Sequence, residues 1–353
     1  MKVGITYHEK LNGQLLSKSG FDGVSVDLAG TGRPGADMTA LAFRIPWKTL
    51  GETALPDNCE ILVVDTCSLT EREEAKQLEE KLREHSREYA LRGLTVCIEN
   101  GVAYRSGRYV RGFYDDTAAL TAASDRLNSG DSGRLFAAAF NIAYSNLLGQ
   151  NPADELEALG DRLKVLYISD NDAMGDYRQL PYTFTRGRGI LSTDWVGIIR
   201  AIVLLSFDGL LVADIPGTVE NTPAELLPAM LELMRAVFRH MEDQLNISEA
   251  FSEPGKTLVI FGTGNMFRNY MRLWGKTAKP AFAVDNNSKL WGERKEGIEI
   301  RPPEAILEIP PEKRNVWICN IHFPEIKEQL KEMGIESRRL EEWYFVRNPW
   351  ENT

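Results

Sequence analysis

Phe140-Asn141-Ile142-Ala143-Tyr144-Ser145-Asn146 closes an apolar run that opens at Leu135. It is followed by Gly160-Asp161-Arg162-Leu163-Lys164, Ile168-Ser169-Asp170-Asn171, Asp176-Tyr177-Arg178, and Gly187-Arg188-Gly189 leading to Asp194-Trp195. Short apolar runs ending in a polar residue, each followed by a helical or loop segment, are the rhythm of βα units around a parallel sheet. Working outward, strand-like runs occupy residues 3–7, 23–27, 40–45, 61–65, 95–99, 136–141, 165–169 and 210–214. Eight such runs in about 250 residues predict a closed (β/α)8 barrel. Residues 70–92 form a charged helix with Leu78, Leu82 and Ala90 as its apolar stripe. Residues 222–245 carry Leu226, Leu227, Met230, Leu231, Met234, Val237, Phe238 and Met241 at helical spacing and would close the barrel.

Residues 248–256 are polar with a Pro-Gly break, which puts a boundary between a barrel at 1–249 and a second domain at 250–353. The second domain opens with Thr257-Leu258-Val259-Ile260-Phe261-Gly262-Thr263-Gly264, a strand running into a GxG turn and then a helix. This is the start of a small Rossmann-like α/β unit. Gly262 and Gly264 would form a phosphate turn, and Asp285 falls about 20 residues later, where a ribose-binding acid sits. Phe267 stands where the third glycine of the fingerprint would be, which favours a mononucleotide or nucleotide-sugar over a dinucleotide.

A chain of 353 residues with 43% hydrophobic and 26% charged residues can bury a sizeable core. The net charge of −10 argues against a nucleic-acid partner, whose affinity comes mostly from Lys and Arg neutralising phosphates. No apolar run approaches the roughly 20 residues that span a bilayer. The opening Met1-Lys2-Val3-Gly4-Ile5 reads as a strand, not as a secretory signal. Cys59, Cys67, Cys97 and Cys319 show no CxxC spacing, which suggests reduced thiols in a cytoplasmic protein.

Active sites of such barrels are built at the C-terminal ends of the strands. The tips here are Tyr7 and His8, Asp27, Arg44, Asp65, Glu99, Asn141, Tyr167 and Ser169, and Asp214. His8 is the only His among them and a candidate general acid–base. Arg178, Arg186 and Arg188 share the loop after the seventh strand, where guanidinium groups suit an anionic substrate.

The motif outline between Leu135 and Trp195 resembles the xylose isomerase-like TIM barrels, which include sugar isomerases and epimerases, inosose dehydratases and endonuclease IV-type enzymes. The resemblance implies a metal site built from Glu, Asp and His. The matching positions hold Glu99 and Asp214 as carboxylates, but Asn141, Tyr144, Tyr167 and Arg178 elsewhere. It therefore implies a degraded site: Glu99, Asn141 and Asp214 could hold Mg²⁺ or Mn²⁺ weakly, and zinc is not expected. Residues 256–344 resemble the small domains found beside enzymes of nucleotide-sugar and surface-polysaccharide metabolism. The expected activity is a sugar or sugar-derivative isomerase or epimerase. Glu99, Asp214 and His8 would be catalytic, and Asn141, Tyr167, Arg178, Arg186 and Arg188 would bind substrate. The alternative is a non-catalytic sugar or nucleotide-sugar binder. Expected partners are small-molecule sugars or nucleotide-sugars and further copies of the chain in a homo-oligomer, with no nucleic acid and no membrane.

Overall fold

The computed structural model describes residues 1–30, 32–129, 134–184, 193–245 and 247–340. The chain divides into two compact units, Met1–Glu242 and Asp243–Thr353. The first holds eight parallel strands: β1 (Lys2–Thr6), β2 (Gly23–Asp27), β3 (Ala40–Pro46), β4 (Ile61–Asp65), β5 (Thr95–Glu99), β6 (Phe136–Asn141), β7 (Leu163–Ile168) and β8 (Leu210–Ala213). Each pairs with its sequence neighbours, and β1 pairs with β8, so the sheet closes on itself. Closure leaves no open edge, and helices cover the outside, which is why the strands are apolar on both faces.

One phase of the two-residue strand period fills the interior with Ala42, Val63, Cys97, Ala139, Val165, Tyr167 and Val212. Two residues further along each strand, the same inward phase reaches Arg44, Asp65, Glu99, Asn141, Ser169 and Asp214. Sequence alternation thus stacks a ring of polar side chains on an apolar plug at the C-terminal mouth. A hairpin of Val102–Arg105 and Arg108–Arg111 follows β5.

The single long helix expected at 222–245 is one helix that begins later, at Leu227–Leu245, and a separate short helix precedes it at Pro216–Asn221. Thr222 between them is extended, at φ −81° and ψ 126°. The cause is local, because the ring of Pro223 disfavours helical backbone in the residue before it. Among the described residues no helix is long and apolar enough to cross a membrane.

The second unit carries β9 (Thr257–Phe261), β10 (Phe282–Val284), β11 (Arg294–Lys295), β12 (Ile298–Arg301), β13 (Arg314–Ile318) and β14 (Arg338–Arg339), in the sheet order β11-β12-β10-β9-β13-β14. All pairs are parallel except β11 with β12. Alternation along β9 sends Leu258 and Ile260 to one core and Val259 and Phe261 to the other. Both faces of the sheet are covered, as a small α/β domain requires. Phe267, from the helix Asn265–Trp274, packs into the first of these cores and is 1% exposed.

Gly262 has φ +102°, and a Cβ there would lie 2.7 Å from the carbonyl oxygen of Cys319. Gly262→Ala is therefore expected to destabilise the second unit by about 1–3 kcal/mol. Chemical denaturation of the full chain measures this, and an unshifted transition would contradict the close approach.

Candidate functional site

Glu99, Asn141 and Asp214 are each 0% exposed and meet at the mouth of the barrel. The Asn141 amide nitrogen donates to Glu99 Oε1 at 3.2 Å and to Asp214 Oδ2 at 3.0 Å, so it bridges the two carboxylates. Its amide oxygen accepts from the Ala143 N–H at 3.1 Å and caps the helix Ile142–Leu147. That cap fixes which end of the amide faces the carboxylates. Asn100 holds the Asn141 backbone from the other side, accepting from its N–H at 2.6 Å and donating to its carbonyl at 3.1 Å.

Each carboxylate has its own guanidinium. Arg44 donates through Nε to Glu99 Oε2 at 2.7 Å and through Nη2 to the Tyr144 hydroxyl at 3.1 Å, with Asp65 Oδ2 3.4 Å away. Arg178 donates through Nη1 to Asp214 at 3.3 Å and 3.4 Å. Its Nη2 donates to the Tyr144 hydroxyl at 2.7 Å, and its Nε and Nη2 clasp Asp176. Tyr144 thus joins the two arginines, and Thr6 Oγ1 donates to Asp214 at 2.8 Å. Arg44 also lies over the Tyr167 ring at 5.6 Å, while the Tyr167 hydroxyl pairs with Ser25.

The two acids are driven apart electrostatically. Burial pushes Glu99 up to about 8; Arg44 opposes this, and the charges of Asp65 and Asp214 add to it. Burial also works against charge on Asp214, but Arg178 and then Arg44, with hydrogen bonds from Thr6 and Asn141, hold it below the usual carboxylate range. Burial raises the Tyr144 and Tyr167 phenols well above the ordinary value, so both remain neutral. It also pushes the nearby Cys67 thiol up to about 12, which leaves it un-ionised and a poor nucleophile.

These residues do not fit the divalent ion that the family resemblance implies. An ion bridging both carboxylates needs convergent oxygen donors at about 2.0–2.6 Å. Here the space between Glu99 and Asp214 is filled by an NH₂ group, and the remaining oxygens are taken by guanidinium and hydroxyl donors. The Asn141 oxygen, expected as a ligand, faces Ala143 instead. Among the described residues no group of three or more His, Cys, Asp or Glu side chains is placed to hold a metal.

The other expected site residues fall as follows. His8 sits just past β1, where Nε2 pairs with Glu220 at 2.6 Å and Nδ1 accepts from the Lys10 N–H at 3.2 Å. Among the described residues no hydrogen bond ties His8 to Glu99 or Asp214, so proximity in sequence to a strand tip did not bring it to the carboxylates. Arg186 and Arg188 lie outside the described residues. In the second unit Gly262 and Gly264 do form the turn before a helix, and no side chain caps that helix. Asp285, expected at a ribose, accepts from the Thr263 N–H at 3.0 Å and hydroxyl at 2.6 Å, and from the Asn287 N–H at 3.0 Å. These bonds tie Asp285 to Thr263, the residue between the two glycines.

Arg44, Tyr144, Asp176 and Thr6 complete the network but had no functional assignment from sequence. Arg44 had a readable signal, a charged residue in the inward phase of the apolar strand β3. Asp176 had its place in the Asp176-Tyr177-Arg178 segment, but it reaches the mouth through a loop in which Arg178 adopts a positive φ of 46°, which no strand period indicates.

No protein-family model and no curated protein matches the sequence. Solved structures do. L-ribulose 3-epimerase shares 13% identity with a TM-score of 0.50, over 72% of this chain and 100% of that one. D-psicose 3-epimerase with D-tagatose from Clostridium cellulolyticum H10 shares 12%, covering 68% and 99% of the two chains, with a TM-score of 0.48. For 3-keto-D-glucoside 4-epimerase from E. coli the values are 16%, 67%, 99% and 0.46. The strand order and the first of these likenesses agree: the first unit has a (β/α)8 TIM-barrel fold, like that of L-ribulose 3-epimerase.

Proposed function

We propose that the barrel mouth is a proton-transfer site that isomerises or epimerises a sugar or sugar derivative. The observation that carries this is the pair of buried acids at the mouth, Glu99 and Asp214, bridged by the Asn141 amide and each bound to its own guanidinium, with burial raising Glu99 and Arg178 lowering Asp214. Environments that push two titratable groups apart set up an acid and a base. In this reading Asp214 takes the proton from a carbon next to a carbonyl; the C–H pair forms the C=C bond of an enolate as the carbonyl π pair moves onto oxygen. Glu99 delivers its proton to give the isomer or epimer, and the roles exchange in the reverse direction. Arg44 and Arg178, with the Tyr144 hydroxyl, stabilise the developing oxyanion. Ser169 Oγ is buried with no hydrogen-bond partner among the described residues, in the same inward phase as Val165 and Tyr167. A buried hydroxyl without a partner is costly, and a substrate hydroxyl would satisfy it. Arg178, together with Arg186 and Arg188, would anchor an anionic substituent. The four free cysteines, three of them buried, support a reducing, cytoplasmic setting. A place in surface-polysaccharide metabolism rests only on the resemblance of the second domain.

The test is incubation of the full chain with a panel of aldoses, ketoses, sugar acids and sugar phosphates in D₂O. The expected result is deuterium incorporation next to the carbonyl, read by NMR. A second reading, a non-catalytic sugar or nucleotide-sugar binder, is favoured by the internal partners that Glu99, Asp214 and both arginines already have. Calorimetric binding of a panel member without any deuterium incorporation would select it.

A further inference from the structure

We infer that Arg44 and Arg178 are built-in replacements for the divalent cation that the family resemblance implies, so that the site works without a metal ion. The inference rests on the same site as the proposed function but is tested by a property independent of turnover. Two monovalent guanidiniums supply the charge of one divalent ion, and they are bound to the two carboxylates at the mouth, Arg44 to Glu99 at 2.7 Å and Arg178 to Asp214 at 3.3 Å. Both are held from behind by further acids, Asp65 for Arg44 at 3.4 Å and Asp176 for Arg178 at 3.0 Å. Both are joined through the Tyr144 hydroxyl.

This arrangement is planar, directional and permanently charged, which a lysine or a hydrated ion would not be. It also explains the Asn141 orientation. An NH₂ group between two carboxylates is a donor where a metal centre needs an acceptor, and the helix cap at Ala143 keeps it so. The three positions act together: removing one guanidinium leaves a carboxylate unpaired but still leaves the amide nitrogen in the ion's place. A metal could enter only if a donor becomes a ligand and a cation leaves at once. The chemistry assigned to the site is therefore oxyanion stabilisation by fixed N–H donors, with no Lewis acid and no metal-bound water.

Metal binding by the chelator-treated full chain tests this, with Mn²⁺ followed by electron paramagnetic resonance and Co²⁺ by its visible absorption. Neither ion is expected to bind stoichiometrically at millimolar concentration, and EDTA should leave the thermal midpoint of the untreated protein unchanged. The double variant Asn141→Asp, Arg178→His is expected to gain binding of one ion per chain. One ion bound by the native chain, and lost in Glu99→Gln, would overturn the inference. So would a double variant that keeps the native circular dichroism and still takes up no ion. Absence of deuterium exchange with every sugar, alongside absence of metal binding, would overturn the proposed activity and leave this inference standing.

Discussion

Above about pH 8, where Glu99 ionises, replacing Arg44 with Met is expected to cost about 3–5 kcal/mol of folding stability, since it removes one partner of a buried ion pair and strands the other. Met keeps much of the aliphatic stem over Tyr167, so the loss reports mainly on the charge. The Arg44 side chain is 8% exposed, and its removal leaves Glu99, Asp65 and the Tyr144 hydroxyl each short of a donor. Water cannot readily replace it, because Glu99 has no exposed surface. Urea denaturation of the full chain, with the barrel transition resolved, measures the effect. A loss below about 1 kcal/mol would place the pair in the weak range of solvated surface ion pairs and would contradict its burial.

The pH dependence of the same pair has a definite sign. The folded value of Glu99 is raised to about 8, so the stability tied to its proton is fully present below the ordinary Glu value and is lost as pH rises through about 8. Asp214 is shifted the other way. Its contribution is present above the ordinary Asp value and is lost as pH falls through its lowered folded value. Glu99→Gln should therefore flatten the alkaline side of the stability profile and leave the acid side unchanged. An alkaline limb that persists in that variant would assign it to another group.

Glu99→Gln should also lower the rate of deuterium exchange into substrate by about 10²- to 10⁴-fold, the usual contribution of one positioned acid or base. Gln keeps the shape of the side chain and one acceptor oxygen for Arg44 but has no proton to transfer. The native rate profile should show an ionisation near 8 that the variant lacks, because the group responsible has been removed. A variant with unchanged exchange, or a native profile flat across that range, would remove Glu99 from the chemistry. Arg178→Lys should retain charge but lose the fork that spans Asp214, Asp176 and Tyr144, and so should lower the exchange rate while leaving the Glu99 ionisation in place.

The sequence was sufficient for the barrel, and the reason is short-range. Eight apolar runs separated by helical or polar segments over about 250 residues match a closed parallel sheet, and the two-residue period then dictates which side chains face inward. Glu99, Asn141 and Asp214 were legible as inward tips for that reason. Local rules also account for the break at Thr222 before Pro223 and for the Asn141 cap on its helix, although the second was not read from sequence. The roles of these residues were not local. Whether Asn141 offers an oxygen or a nitrogen depends on Ala143 on one side and two carboxylates from β5 and the end of β8 on the other. Whether Glu99 and Asp214 face a metal or an arginine depends on Arg44 from β3 and on Arg178 from the loop after β7. Asp285 likewise has the spacing of a ribose-binding acid, and only the structure shows its hydrogen bonds with Thr263 and Asn287. The amino-acid sequence by itself determined the order of strands and the phase of their side chains. Only the tertiary structure decided which charges meet, because a buried carboxylate takes its protonation and its partner from residues distant in sequence.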